Sequence, residues 1–308
     1  MAKDKMKVIL DTDIGDDIDD AFALAYLLSS PEIELLGVTT VFRNSAQRAR
    51  MAKYLIKTFD KDIPVHAGID NPIKQNPEDL LSMEVKSKIK YDKNGKYCIP
   101  QYEEIYDKEE YEGDDAVDFI ISEIEKYPNQ VILCVIGPET NIAAVINKRP
   151  DLIPLIKEIR IMGGAIGDTI NYPEWNIVCD PESAKIVYKS GVKIYATGCN
   201  VTLQCPLSDE NIALLKSIES NKLSVLVNMM NKWLEHYSFT RPVLHDPLAV
   251  STLIEDFVVF KKKKMKVIID GEKRGWTIPS EDGKECFVGV SLNHNLDFIS
   301  HIKERIFK

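Results

Sequence analysis

Six carboxylates stand within ten residues in Asp11-Thr12-Asp13-Ile14-Gly15-Asp16-Asp17-Ile18-Asp19-Asp20, and no Lys or Arg occurs between Lys7 and Arg43. Like charges this close raise one another's pKa or require a counter-ion. Hard oxygen donors at this density suit Ca2+ or Mg2+ and do not select a thiophilic metal. An EF-hand is excluded, because the glycine is misplaced and the twelfth position counted from Asp11 is Phe22, where that loop needs Glu. Capping of a helix N-terminus explains Asp19 and Asp20 but leaves Asp11 and Asp13 without a task.

Two further stretches carry polar groups whose types could do chemistry. Glu174-Trp175-Asn176 precedes Ile177; taken alone it is also a polar loop with Trp175 as a core anchor. His245-Asp246-Pro247 precedes an apolar helix, and local rules account for it as Asp246 at the N-cap and Pro247 at the first helical position.

The elements that must position these residues follow from hydrophobic periodicity. The run KVIL at 7–10 reads as a strand entering the aspartate cluster, and 19–29 as a helix with Ala21, Leu24, Ala25 and Leu28 on one face. A strand is expected over 34–40 and a helix over 46–58. Further strands fall at 131–136, 158–162 and 193–196, and further helices at 140–146, 181–188 and 223–237. Near-continuous apolar strands between amphipathic helices predict an α/β fold: one large domain over 1–308, with a mostly parallel central sheet and helices on both faces. In such a sheet, ligands bind in the crevice at the C-terminal strand ends, which is where the aspartate cluster falls. Two segments break the rhythm. Residues 76–111 are highly charged and weakly periodic, the pattern of a surface excursion or flap. Residues 260–278 hold the lysine run Lys261–Lys264 and a hairpin through Asp270-Gly271, and the run reads as a solvated edge that discourages strand pairing.

Composition narrows the partners. Of 308 residues, 44% are hydrophobic and 28% charged, the balance of an ordinary globular protein. The net charge of −9 argues against a nucleic-acid or anionic-membrane surface, which needs basic patches, and leaves neutral small molecules and cations as ligands. Six cysteines occur with no C-x-x-C pair, several in apolar runs such as VILCVIG, the pattern of reduced structural thiols. No apolar run approaches the ~20 residues of a membrane span, and the N-terminus lacks a signal-type apolar stretch. The expectation is a soluble, cytoplasmic protein.

The stretch ILDTDIGDDIDDAFAL resembles the N-terminal signature of the inosine-uridine-preferring nucleoside hydrolases, more often written DTDPGIDDALAI. Here five residues, Ile14 to Ile18, separate Asp13 from Asp19-Asp20 where the commoner form has three, and every expected carboxylate is kept. The similarity continues in order through GVTTVFRN at 37–44, VHAGIDNP at 65–72, VIGPETNIA at 135–143 and IMGGAIGDTINYPEWNI at 161–177. It ends with His245-Asp246-Pro247, RGWTI at 274–278 and a closing helix over 296–308, so it covers nearly the whole chain.

That resemblance implies a Rossmann-like fold and calcium-dependent hydrolysis of the N-glycosidic bond of ribonucleosides to ribose and free base, in nucleoside salvage. It implies that Asp13, Asp20, Asp246 and the main-chain carbonyl of Ile136 hold Ca2+, which lowers the pKa of water there. Asp13 is then the general base. Asp19, Asn44, Glu174 and Asn176 grip the ribose, Trp175 packs beside it, and His245 points at the leaving base. Either Asp168 or Asn171 fills one more ribose position, and the resemblance also implies a homodimer or homotetramer. The longer loop leaves Asp11, Asp16 and Asp17 without assigned roles. Residues 76–111 and the helix bearing Trp233, His236 and Tyr237 would cover the base, for which purine, pyrimidine and modified 7-deazaguanine types all fit. Two rivals stand beside this reading. A Mg2+-dependent, aspartate-rich phosphatase requires a basic residue near phosphate; a non-catalytic sugar- or nucleoside-binding protein has no use for both Asp13 and His245.

Overall fold

The computed structural model describes residues 4–74, 88–166, 170–237 and 239–308. Strand β1, Met6–Thr12, lies near the middle of a nine-stranded sheet, and its residues from Val8 to Thr12 are buried. Burial on both faces explains the unbroken apolar run that precedes Asp11. Val8 and Leu10 join one hydrophobic cluster while Ile9 joins the other, as the two-residue period of a strand requires. Each such side chain contributes about 1.5–3 kcal/mol by leaving water.

From β1 the chain runs through helix α1 (Asp19–Leu28), β2 (Ile33–Thr40), α2 (Ser45–Thr58) and β3 (Val65–Ala67). It then returns through α3 (Ala116–Lys126) to β4 (Val131–Val135) on the other side of β1. Helix α4 (Thr140–Lys148) leads to β5 (Glu158–Met162), and α5 (Trp175–Cys179) and α6 (Pro181–Lys189) lead to β6 (Ile194–Thr197). Short α7 (Cys199–Thr202), α8 (Asp209–Ser217), α9 (Asn221–Tyr237) and α10 (His245–Ser251) follow in one helical block. The chain closes with β7 (Val258–Val267), β8 (Thr277–Pro279), β9 (Lys284–Leu292) and α11 (Phe298–Ile306).

The sheet order is β3-β2-β1-β4-β5-β6-β9-β7-β8, parallel from β3 to β9 and antiparallel at β7 and β8. The α/β architecture expected from the sequence is therefore observed, with one face of the sheet covered by α1, α2 and the late helices and the other by α3, α4 and α6. Strand order reverses between β1 and β4, so the crevice between their C-terminal ends is the topological switch point.

Two expectations change in detail. The lysine run is not wholly a free edge: Lys261–Lys264 pair along β9 from Val288 to Glu285, while β8 pairs only with Met265–Val267. Lys262 and Lys264 meet Glu285 and Glu281 in exposed ion pairs. Asp246 is not an N-cap but lies inside the first turn of α10, whose cap position is Leu244. Of the charged excursion, 91–96 are exposed, whereas Tyr97, Ile99, Gln101 and Tyr106 are buried against the body of the protein.

Candidate active site

A pocket of about 450 Å³ opens over the switch point. Its acidic floor comes from the loop after β1 and from both ends of the helical packing: Asp13, Asp16, Asp17, Asp19, Asp20 and Asp246. Helix α1 begins at Asp19 and packs on α10, which begins at His245, so two helix N-termini converge with their first-turn carboxylates facing one another. Asp19, Asp20 and Asp246 each offer an oxygen within 4.8 Å of the other two. The Asp246 backbone N–H donates to Asp19 Oδ2 at 3.0 Å, and Thr12 Oγ1 donates to Asp20 Oδ1.

Burial sets the electrostatics. Loss of solvent raises Asp19, Asp20 and Asp246 well above the carboxylate range, and their neighbours' charges add to the rise. Asp13 is pushed up to about 7, again chiefly by burial, with the Arg48 guanidinium pulling the other way. Three buried, mutually repelling carboxylates with oxygen donors only are a poor resting arrangement and a good cage for a hard cation. The residues present fit such a metal.

Asp13 lies on this floor but outside the tightest triple, which takes Asp19 instead. Asp11 turns away from the pocket. Its Oδ1 accepts from Thr39 Oγ1 at 2.5 Å and Asn141 Nδ2 at 2.8 Å, bracing the end of β1 to the end of β2 and the start of α4.

The adjoining wall is built from the stretch after β5. Glu174 is the N-cap of α5: its oxygens accept from the backbone N–H groups of Asn176 at 2.8 Å, Gly164 at 3.1 Å and Ile177 at 3.2 Å. Capping holds the carboxylate at the pocket wall, a role the local sequence did not announce. Asn176 Nδ2 donates to the Ile136 carbonyl at 2.9 Å and to the Met162 carbonyl at 3.0 Å, tying the ends of β4 and β5 together. Trp175, Ile136 and His245 also line the pocket. His245 Nδ1 sits 2.6 Å from Thr202 Oγ1, and burial lowers the ring to about 4, so it is neutral at pH 7.

Asn44 is not brought to the pocket wall. It is buried in the left-handed region (φ 69°), and its amide donates to Gln47 Oε1 and, at 3.1 Å, to the Tyr97 carbonyl. Asp168 lies outside the described residues, and Asn171 is absent from the pocket lining, although Tyr172 beside it is present.

The rest of the lining, the rim, is mostly aromatic and apolar, from Trp233, Tyr237, Phe239, Tyr172, Leu203 and Cys199, and Lys88 of the charged excursion adds a cation to it. Tyr237 and Phe239 stack with centroids 5.7 Å apart and planes 15° apart, and Trp233 lies 5.4 Å from Phe239. Trp233 and Tyr237 were legible as aromatics on the α9 helix; His236 from the same expectation is not part of the lining. Cys199, Leu203, Met162, Tyr172 and Phe239 were missed. Only Cys199 and Met162 left a signal, since both sit at C-terminal ends of parallel strands.

A doubly wound α/β chain with a buried carboxylate cluster at its switch point and aromatic side chains lining the same pocket is the class that the geometry defines. Residues 8–307 match the family described as inosine-uridine preferring nucleoside hydrolase, and the chain belongs to that family of N-glycosyl hydrolases. It is similar to a uridine nucleosidase of Arabidopsis thaliana, 30% identical over 92% of this chain and 86% of that protein. A non-specific ribonucleoside hydrolase of Escherichia coli is also 30% identical, over 95% of each chain. Among solved structures, a purine-preferring ribonucleoside hydrolase from Gardnerella vaginalis superposes with a TM-score of 0.82 at 28% identity, over 97% of this chain and 98% of that one.

Proposed function

We propose that this chain releases the free base from ribonucleosides by hydrolysis, with calcium in the cage on the pocket floor. The observation that carries the reading is the convergence of Asp19, Asp20 and Asp246 in a pocket that aromatic side chains also line. Carboxylates and aromatic rings lining one pocket of about 450 Å³ suit a ligand with a polyhydroxylated half and a flat half. Asp13, Asp20, Asp246 and the Ile136 carbonyl are the proposed ligands, and Asp19 stands close enough to Asp20 and Asp246 to join or replace one. Bound there, calcium supplies positive charge that acidifies water and fixes hydroxyl oxygens.

The protein's own groups divide the remaining work. Asp13 takes the proton from the attacking water, a contribution of about 10²–10⁴ in rate. Asp19, Glu174 and Asn176 hold ribose hydroxyls against the floor while Trp175 packs beside the sugar, which orients the anomeric carbon toward that water. Water arrives from the floor and the base leaves toward the rim, so the anomeric configuration inverts. The neutral His245 ring, steadied by Thr202, offers one N–H to the departing base. In this reading base choice belongs to the aromatic part of the pocket and not to the carboxylates; relatives named for uridine, purine and non-specific activities support a pocket whose base-contacting part varies.

Assembly into a homodimer or homotetramer is part of this proposal; light scattering on the purified chain decides between them. So is a cytoplasmic setting, a reducing environment that suits six free cysteines, five of them buried. Among the described residues no helix is long and apolar enough to cross a membrane.

The test is a reducing-sugar assay with inosine, uridine, cytidine and adenosine, run with EDTA and again after calcium is restored. Free ribose that disappears with EDTA and returns with calcium is the expected outcome. Ribose release indifferent to EDTA would remove calcium from the reading, and no release from any of the four would turn the search to modified nucleosides.

A further inference from the structure

The two extra residues of the aspartate loop bring Asp16 into a buried hub. Asp16 Oδ2 accepts from Arg48 Nη2 at 2.9 Å and Oδ1 accepts from the Tyr97 hydroxyl at 2.8 Å, so both oxygens are engaged by protein. Arg48 is completely buried and directs all three of its nitrogens at the loops over the switch point. Nη1 donates to the carbonyls of Asp13 and, at 3.0 Å, Ile14; Nε donates to the Phe42 carbonyl at 2.7 Å and the Arg43 carbonyl at 3.2 Å. The second loop needs such support, because Phe42, Arg43 and Asn44 all have positive φ, a costly run for residues with a Cβ.

Tyr97 comes from the segment that lies over the loop. Its neighbour Gln101 donates from Nε2 to the Asp17 carbonyl at 2.7 Å and the Asp16 carbonyl at 3.3 Å, and its backbone N–H meets the Gly15 carbonyl at 3.3 Å. Gly15 has φ +116°, and Ile99 packs where a side chain at that position would begin. The guanidinium of Arg48 also faces the Tyr97 ring, 5.9 Å from its centroid. Segment 97–101 and the aspartate loop are thus one packed unit.

We propose that Asp16, Arg48 and Tyr97 form a clamp that sets the shape of the aspartate loop, so that Tyr97 and Asp16 are positioning residues for cation binding and not ligands. The inference rests on the calcium reading of the floor given above. Holding the Asp13 and Ile14 carbonyls fixes where the Asp13 side chain starts, and fixing the Asp16 and Asp17 carbonyls sets the approach to Asp19 and Asp20. A cation that needs these carboxylates in one arrangement binds more tightly when the clamp has already imposed it.

Calcium titration calorimetry on the full-length protein tests this, using wild type, Tyr97→Phe, Asp16→Asn and the double variant, with ribose release followed at saturating calcium. Tyr97→Phe removes a single hydroxyl and is expected to weaken calcium binding about tenfold, the scale of one buried hydrogen bond. Its kcat at saturating calcium is expected to stay within about twofold, because a loop already held by the ion no longer needs the hydroxyl. Asp16→Asn is expected to weaken binding to a similar or greater degree, and the double variant to fall short of the product of the two. Equal calcium affinity in Tyr97→Phe and wild type would overturn the clamp, as would fully independent effects in the double variant. Loss beyond about a thousandfold in Asp16→Asn alone would make Asp16 a ligand. A wild-type protein that binds no calcium would instead sink the underlying reading of the floor.

Discussion

On one side of the pocket stand carboxylates contributed by two helix starts; on the other stand aromatic rings contributed by α9 and the residues just after it. The acids are fixed from beneath by backbone and side-chain hydrogen bonds, to Thr12, Asp246 and Arg48. The rim is fixed chiefly by ring contacts among Trp233, Tyr237 and Phe239, with Phe239 more than half exposed. A floor of this kind tolerates little change, because each charge is held in place and buried. A rim of stacked rings can be varied at modest cost, because no buried charge depends on it.

The comparison breaks most visibly at Asp13. Asp13→Ala is expected to lower kcat by about 10²–10⁴-fold in steady-state ribose release. Near-normal turnover would mean that the floor does not carry the chemistry. The next largest effect separates binding from folding. Asp20→Asn should weaken calcium binding yet raise the melting temperature measured in EDTA, because it removes one of three buried carboxylates that repel one another. A lower melting temperature in EDTA would show that the carboxylates are not in conflict without the ion.

Smaller effects belong to the rim. Phe239→Ala removes the ring stacked on Tyr237 and should raise KM about 2–10-fold with kcat nearly unchanged, to different extents for inosine and uridine. A fall in kcat equal for both nucleosides would erase the division between floor and rim. Arg305→Ala, which breaks a partly exposed pair with Glu32 far from the pocket lining, should cost no more than about 1 kcal/mol in urea denaturation and leave kinetics alone.

What the sequence revealed divides along the same line. The floor is written locally: six aspartates in ten residues follow an apolar strand, and strand–helix periodicity places them at a C-terminal strand end, while the strand order that makes this the switch point depends on pairings far along the chain. The parallel sheet was equally legible, because burial on both faces forces an unbroken apolar run such as VILCV in β4. The parts that escaped depend on partners far along the chain. Asp16 meets Arg48 and Tyr97 at separations of 32 and 81 residues, and no local pattern marks either. Glu174 as a helix cap was hidden because α5 is only five residues long, too short for a periodic signal. Asp246 mimicked an N-cap because Asp-Pro at a helix start fits that rule well; its packing against α1 moved the cap to Leu244.

The bond between the Asp246 N–H and Asp19 spans 227 positions. During synthesis, the first half of the metal cage leaves the ribosome long before its partner exists, and contacts this distant in sequence form slowly. Until α10 arrives, Asp19 lacks the backbone donor of Asp246 and Asp20 lacks that residue's facing carboxylate. On the reading proposed above, cation binding then reports on assembly, because a chain whose late helices have not packed holds only part of the cage.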